Sequence, residues 1–193
     1  MPIITLADVK LFGRIETSAY DDELEMLIEA CQSRAEAHCG RLFDYGTYTE
    51  YHDTGPADSA LFVHNYPVVS VTSITDDQNV SARVITVATN VRDEAEYLNR
   101  GQVQLWNNET LFTAGQTAVK VVYVGGYSRE TLPAGLKLTL VQYTLFEFNH
   151  RARIGIAQAG GDGAYARYDE KSGLPVQVLE ALAPYVNWAR RVG

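Results

Sequence analysis

With 46% hydrophobic and 21% charged residues over 193 positions, the chain has the apolar content to fold but too little length for two large independent cores, so one domain carrying an insertion is expected. The formal charge of −8 is unevenly spread: residues 1–40 carry 3 basic and 8 acidic groups, 41–132 carry 6 and 11, and 133–193 carry 7 and 5, balances of −5, −5 and +2. Such an acidic body excludes wrapping around the outside of nucleic acid, which needs clustered Lys and Arg, and no apolar run approaches the roughly 20 residues of a membrane-spanning helix.

The N-terminal segment MPIITLADVK has neither the basic start nor the apolar stretch of a signal peptide, so a cytoplasmic product is expected. Thr5 with Asp8, and Ser18 with Asp21, each pair a hydroxyl with an acid three residues later, the pattern of a capping box, and predict helices over about 5–12 and 20–39. In the second, Asp21, Asp22 and Glu23 crowd the first turn, Leu24, Leu27, Ile28, Cys31 and Ala35 repeat on one face, and Gly40 suits the C-terminus. Cys31 and Cys39 lie eight residues apart on that helix, about 12 Å along its axis, which is too far for a disulfide. Reduced thiols are expected.

From residue 41 to 124 the periodicity becomes strand-like. The runs TYTEYHD, ALFVH, VVSVTSIT, ARVITVA, QVQLW and TAVKVVYV are divided by turn residues. Their alternation, with Val103 and Leu105 inward and Gln102 and Gln104 outward, predicts an antiparallel β-meander with one wet face. Gly125 and Gly126 then stop the last strand, and Pro133 opens a helix over AGLKLTLVQYTLFEFNHR. Here Leu138, Val141, Leu145 and Phe148 form one stripe and Leu136, Leu140 and Tyr143 a second, so the helix has two apolar faces to cover. Residues 155–173 are glycine-rich and carry no helical stripe, which predicts a long loop, and Pro175 opens a short helix before the terminal NWARRVG. The fold class is therefore α+β: a small helical bundle with a long central helix and an inserted antiparallel β-meander. Its parts are N-terminal helices at 1–40, the β-rich insertion at 41–132, the central helix at 133–151, the loop at 152–174, and a helix with its tail at 175–193.

Chemistry-bearing motifs are scarce. The sequence has no nucleophile elbow, no phosphate-cradling GxxxxGK[ST], and no GxGxxG between a strand and a helix. His38, Cys39, His52, His64 and His150 lack the paired short spacing of a structural zinc site. No enzyme, cofactor or metal is expected. Tyr48, Tyr51 and Tyr66 could form an aromatic platform for a sugar, but half-buried sheet positions, where tyrosine is favoured, are the expected reading. Partner contact is a better use of what remains. Trp188, Arg190 and Arg191 bring together the residue types that most often anchor interfaces, and Arg153, Tyr165, Arg167 and Tyr168 stand in the glycine-rich loop.

The ordered segments LADVKLFGRI, DDELEMLIEACQSRAEAHCGRLF, YPVVSVTSI, VKVVYVGGY and LPAGLKLTLVQYTLFEFNHR carry a further signal. Over residues 4–151, and again in LPVQVLEALAPYV, the chain resembles the head-tail connector proteins of tailed bacteriophages, also called adaptor or head-completion proteins, which occur in prophages and gene transfer agents too. The resemblance implies a structural virion protein, made in the bacterial cytoplasm and sited at the head–tail junction. It implies a homo-oligomeric ring, commonly of twelve copies, between the portal and a tail-proximal stopper or tail-completion protein, although the free chain can be monomeric. DNA would pass through the channel without sequence-specific binding, and the acidic bias suits a lumen that repels phosphate. The competing classes are a β-sandwich binding module of a phage tail or cell surface, and a small enzyme.

Overall fold

A computed structural model describes residues 2–56, 58–77, 80–106, 111–150 and 173–187. The chain divides into two compact units, one of Met1–Gly40 with Arg129–Gly193 and one of Arg41–Ser128.

The first unit is helical. Helix α1 (Leu6–Gly13) begins on the expected capping box: Thr5 Oγ1 accepts from the Asp8 amide at 3.2 Å, and the Thr5 amide donates to Asp8 Oδ2 at 3.0 Å. Arg14, in the left-handed region at φ 52°, closes the helix through its N–H to the Lys10 carbonyl. Helix α2 (Asp21–Cys39) carries its three acids in the first turn, and Gly40 ends it at φ 67° with its N–H on the Glu36 carbonyl at 2.8 Å. Its start departs from expectation, because Ser18 makes no side-chain cap. Lys10 Nζ holds Asp21 Oδ1 at 2.6 Å, so that carboxylate ties α2 to α1, and the Asp21 amide donates instead to the Ser18 carbonyl.

Helix α5 (Ala134–His150) is the long helix after Pro133 and packs against α1, α2 and the later α6 (Val176–Leu182), which continues into a 3-10 turn at Ala183–Tyr185. Leu136, Leu140 and Tyr143 are fully buried, as that stripe predicts, and Thr139 and Thr144 share the interior by donating their hydroxyls to the Gly135 and Leu140 carbonyls. The other stripe is only partly covered: Val141 and Phe148 are buried, Leu145 is half-buried, and Leu138 is 43% exposed. A Cβ at Gly13 would stand 2.7 Å from Leu145 Cδ2, so the missing side chain is what lets α1 approach α5 there. Cys31 and Cys39 are free and buried. Burial first, and then the Glu147 charge, push the Cys31 thiol up to about 12, which keeps it protonated and unreactive.

The second unit holds the strands: β1 (Gly46–Thr54), β2 (Ala60–Phe62), β3 (Val68–Asp76), β4 (Arg83–Ile85), β5 (Gln102–Gln104) and β6 (Gly115–Gly125). The named strands pair antiparallel throughout, as the alternation predicts, and an isolated parallel bridge joins Asp44 to Tyr127. The order is not that of an uninterrupted meander, however: β1-β6-β3-β4 form one sheet, and β2 pairs with β5 in a second. Strand β6 earns the central place because it buries Val119, Val121 and Tyr123 at alternate positions, and they join Val68, Ile74, Val103 and Leu105 in the core. The run ARVITVA is strand only at Arg83–Ile85. After Thr86 it turns into a short helix, α3 (Val87–Asn90), and a second short helix, α4 (Ala95–Leu98), precedes β5.

The double glycine closes this unit. A Cβ on Gly125 would lie 2.3 Å from the Asn65 carbonyl oxygen, and one on Gly126, at φ 87°, would lie 2.0 Å from that of Asp44. The Gly126 amide reaches the Pro67 carbonyl at 3.0 Å, and the Tyr127 amide reaches that of Phe43 at 2.8 Å. The chain stops being a strand there because two backbones pass too closely for any side chain.

Candidate assembly surfaces

The residues singled out for partner contact, Trp188, Arg190, Arg191, Arg153, Tyr165, Arg167 and Tyr168, lie outside the described residues. What the described residues supply is a set of polar clusters turned inward and a set of apolar faces turned outward.

Glu50, on β1, centres the largest polar cluster. His64 Nδ1 lies 2.7 Å from Glu50 Oε2, the His64 amide donates to both carboxylate oxygens at 3.1 and 3.0 Å, and the Tyr123 hydroxyl donates to Oε1. His52 Nε2 lies 3.4 Å from Glu50 Oε2, and its ring stacks 6.2 Å from that of His64. Burial alone would raise the Glu50 carboxyl. The surrounding donors outweigh it and hold the carboxyl far below the usual carboxylate range, while the hydrogen bond and charge of Glu50 raise His64. A carboxylate so satisfied is a poor general base, and Tyr123, its phenol pushed up by burial and by Glu50, is a structural donor that itself accepts from the Asn65 amide at 3.0 Å. Two pH slopes follow. The depressed Glu50 contributes stability that is present above about pH 4.3 and lost as pH falls, whereas the raised His64 contributes stability present below about pH 6.5 and lost as pH rises through its elevated value. Denaturant midpoints measured across pH are expected to peak between these limits, and Glu50→Gln to flatten both flanks; unchanged flanks in that variant would remove the cluster from the account.

Two further charges are built in the same way. Asp76 is fully buried at the end of β3. Although burial would raise it, the Thr113 amide and hydroxyl, both at 2.9 Å, and Arg83 Nη2 at 2.5 Å lower it, so the segment after residue 111 is clipped to the sheet. Arg41, 4% exposed, lies 3.8 Å over the Tyr66 ring and donates to the Tyr66 carbonyl and the Tyr127 hydroxyl at 2.8 and 3.1 Å. Of the residues weighed as an aromatic platform, Tyr66 is thus the floor of this cage, Tyr48 is half-buried and bonded to the Asp44 carbonyl, and Tyr51 is more exposed than a half-buried sheet position implies. Among the histidines and cysteines weighed as metal ligands, only His52 and His64 come together. Cys39 is buried, and His150 stacks on Phe146 at 4.0 Å. Among the described residues no group of three or more His, Cys, Asp or Glu is placed to hold a metal ion. Sequence reasoning did not find the Glu50 cluster. Glu50 and His52 at i and i+2 on one strand face were visible, but His64 and Tyr123 reach them only through the folded sheet.

Besides single exposed side chains such as Met26 and Val84, two outward apolar features stand out among the described residues. In the first unit Leu11, 82% exposed, and Phe12, 52% exposed, stand side by side on α1. In the second unit a groove of about 790 Å³ runs between β3, α3 and the residues on either side of β5, lined by Val69, Val71, Val87, Val91, Leu98 and Trp106, with Arg92 and Asp93 as its charged members. Trp106 is 47% exposed, and the Arg92 guanidinium lies 5.1 Å over its ring.

Internal charges engaged by neighbouring groups, together with exposed apolar side chains, suit a protein that makes contact with others. The sequence model of the head completion protein family matches residues 2–188. The chain belongs to that family, whose members serve as structural head-tail connectors. No curated protein matches the sequence significantly. Among solved structures, a chain of the neck of an empty gene transfer agent particle computed with C6 symmetry is 14% identical, with a TM-score of 0.64 over 95% of this chain and 88% of that one. A chain of the virion of a native gene transfer agent particle is 14% identical with a TM-score of 0.61, covering 95% and 89%. A third, from the neck of the native particle computed with C12 symmetry, is 13% identical with a TM-score of 0.54, covering 94% and 90%. At this identity the likeness is one of fold.

Proposed function

We propose that copies of this chain form a ring beneath the portal at the head–tail junction and join the filled capsid to a tail-proximal stopper or tail-completion protein, with no catalytic step of their own. The match of the head completion family to nearly the whole chain carries this reading. The shared fold with chains from gene transfer agent necks and virions, two of them described with C6 or C12 symmetry, supports the ring and its place, and twelve copies is the number that fits a twelve-fold neck. The net charge of −8 supports a channel past which DNA slides without being gripped. In this reading Trp188, Arg190 and Arg191 dock on the portal, with Arg153, Tyr165, Arg167 and Tyr168 as further partner contacts.

Electron microscopy of the purified protein, alone and mixed with its own portal, tests the proposal. A hollow ring, free or seated on the portal, is expected. Deleting residues 188–193 is expected to weaken portal attachment. A chain that stays single in both preparations and retains a glycan would favour a binding module instead.

A further inference from the structure

The two open apolar features are on different units, and they match. Leu11 and Phe12 are held out rigidly. The capping box at Thr5 and the Arg14 closure fix both ends of α1, Val9 on its other side is fully buried, and Lys10 is tied to Asp21. The pair therefore cannot turn inward, and it stays exposed unless something covers it. The groove, of about 790 Å³, offers apolar side chains alongside polar ones, with Trp106 and the half-exposed Val69 at its surface.

Charge is complementary as well. Of the three basic residues in positions 1–40, Lys10 and Arg14 bracket the apolar pair, and with Lys10 engaged by Asp21 the exposed Arg14 is the cation the pair presents. The groove's charged lining is Arg92, whose guanidinium lies over Trp106 and 3.9 Å from Glu94, and Asp93, which is exposed. Asp93 is the carboxylate that an incoming guanidinium would meet there.

We propose that Leu11 and Phe12 of one copy insert into the Val69–Val71–Trp106 groove of the next copy, with Arg14 answering Asp93. The occupant is a second copy because both halves of the contact, knob and groove, are carried by one chain and agree in polarity and in charge. A contact between two different patches is heterologous: each copy uses its knob on one neighbour and its groove on the other, and a suitable rotation per step closes a ring. Pairing of the knob with itself would instead stop at a dimer. The inference rests on the ring reading above and identifies the surface that would build the ring.

The test uses two full-length variants with single added thiols, Leu11→Cys on the knob and Thr89→Cys on the groove's exposed α3 rim, mixed on the portal and oxidised. Crosslinked pairs containing one of each variant are expected, and neither variant alone should give them; circular dichroism and thermal midpoints should match the unaltered chain. Charge reversal is the second arm. Arg14→Glu and Asp93→Arg are each expected to lower the number of copies seated per portal at least several-fold, and the double variant to restore it. Rings that form normally with no mixed crosslink and no loss from either reversal would overturn the proposed contact while leaving the ring reading intact. Crosslinks confined to the Leu11→Cys protein alone would show the knob pairing with itself, which also overturns it. Absence of any ring from the unaltered chain with its portal would remove the ring reading itself.

Discussion

Gly126→Ala is expected to cost more than about 4 kcal/mol and to unfold the second unit's closing corner, a loss at the extreme of single substitutions. Three backbone atoms produce it. A Cβ at this position would stand 2.0 Å from the Asp44 carbonyl oxygen, 2.6 Å from its carbon and 2.9 Å from the Phe43 carbonyl oxygen, and none of these can rotate away as a side-chain terminus would. The φ of 87° adds the ordinary penalty of a left-handed residue. Relief requires moving the 43–44 segment, which breaks the Tyr127 amide bond to the Phe43 carbonyl and loosens the start of β1 where Gly46 opposes Gly125.

Gly173→Ala supplies the control. Gly173 also has a left-handed φ, 66°, but nothing lies within 4 Å of its would-be Cβ, so it isolates the backbone penalty at about 1 kcal/mol. Urea midpoints for the two variants, with hydrogen exchange read on the amides of β1 and β6, check the comparison. Equal losses at the two glycines would mean that the close approach at Asp44 does not exist in solution.

What the sequence made legible was the local part of the fold. Thr5–Asp8 is a contiguous signal, and its helix begins where it should; Gly40 and Pro133 mark ends with the same directness. The strand runs were visible because alternation is local, but their order was not. That β6 lies between β1 and β3 depends on which strand can bury a face on both neighbours, and no spacing along the chain states it. Ser18 shows the opposite failure, a correct local pattern overridden when Lys10, eleven residues before Asp21, claims the carboxylate that the capping box needed. The groove escaped for the same reason as the Glu50 cluster. Val69, Val87 and Trp106 are unremarkable hydrophobic residues in the sequence and become one surface only after β3, α3 and the segments flanking β5 are folded together.

The long helix α5 provides the second large effect. Two apolar stripes run along it, and sequence alone does not say which is the core. In the folded unit, where α5 packs against α1, α2 and α6, Leu140 is fully buried, whereas Leu138 is 43% exposed. Leu140→Ala is therefore expected to lose about 2 to 5 kcal/mol, the lost transfer of the removed carbons plus the cavity left where the helices cannot collapse. Leu138→Ala, removing the same atoms from a site already half in water, is expected to stay within about 0.5 kcal/mol. Leu145 falls between them, because it is half-buried and its contact is the space that Gly13 leaves. Chemical denaturation of the three variants, with unchanged slopes as the check on two-state behaviour, orders them. The reverse order, with Leu138 the costly position, would mean that α5 is turned by nearly half a revolution about its axis. It would then have to bury Leu138 with Leu145 and expose the pair of threonines whose hydroxyls now bond back to the Gly135 and Leu140 carbonyls.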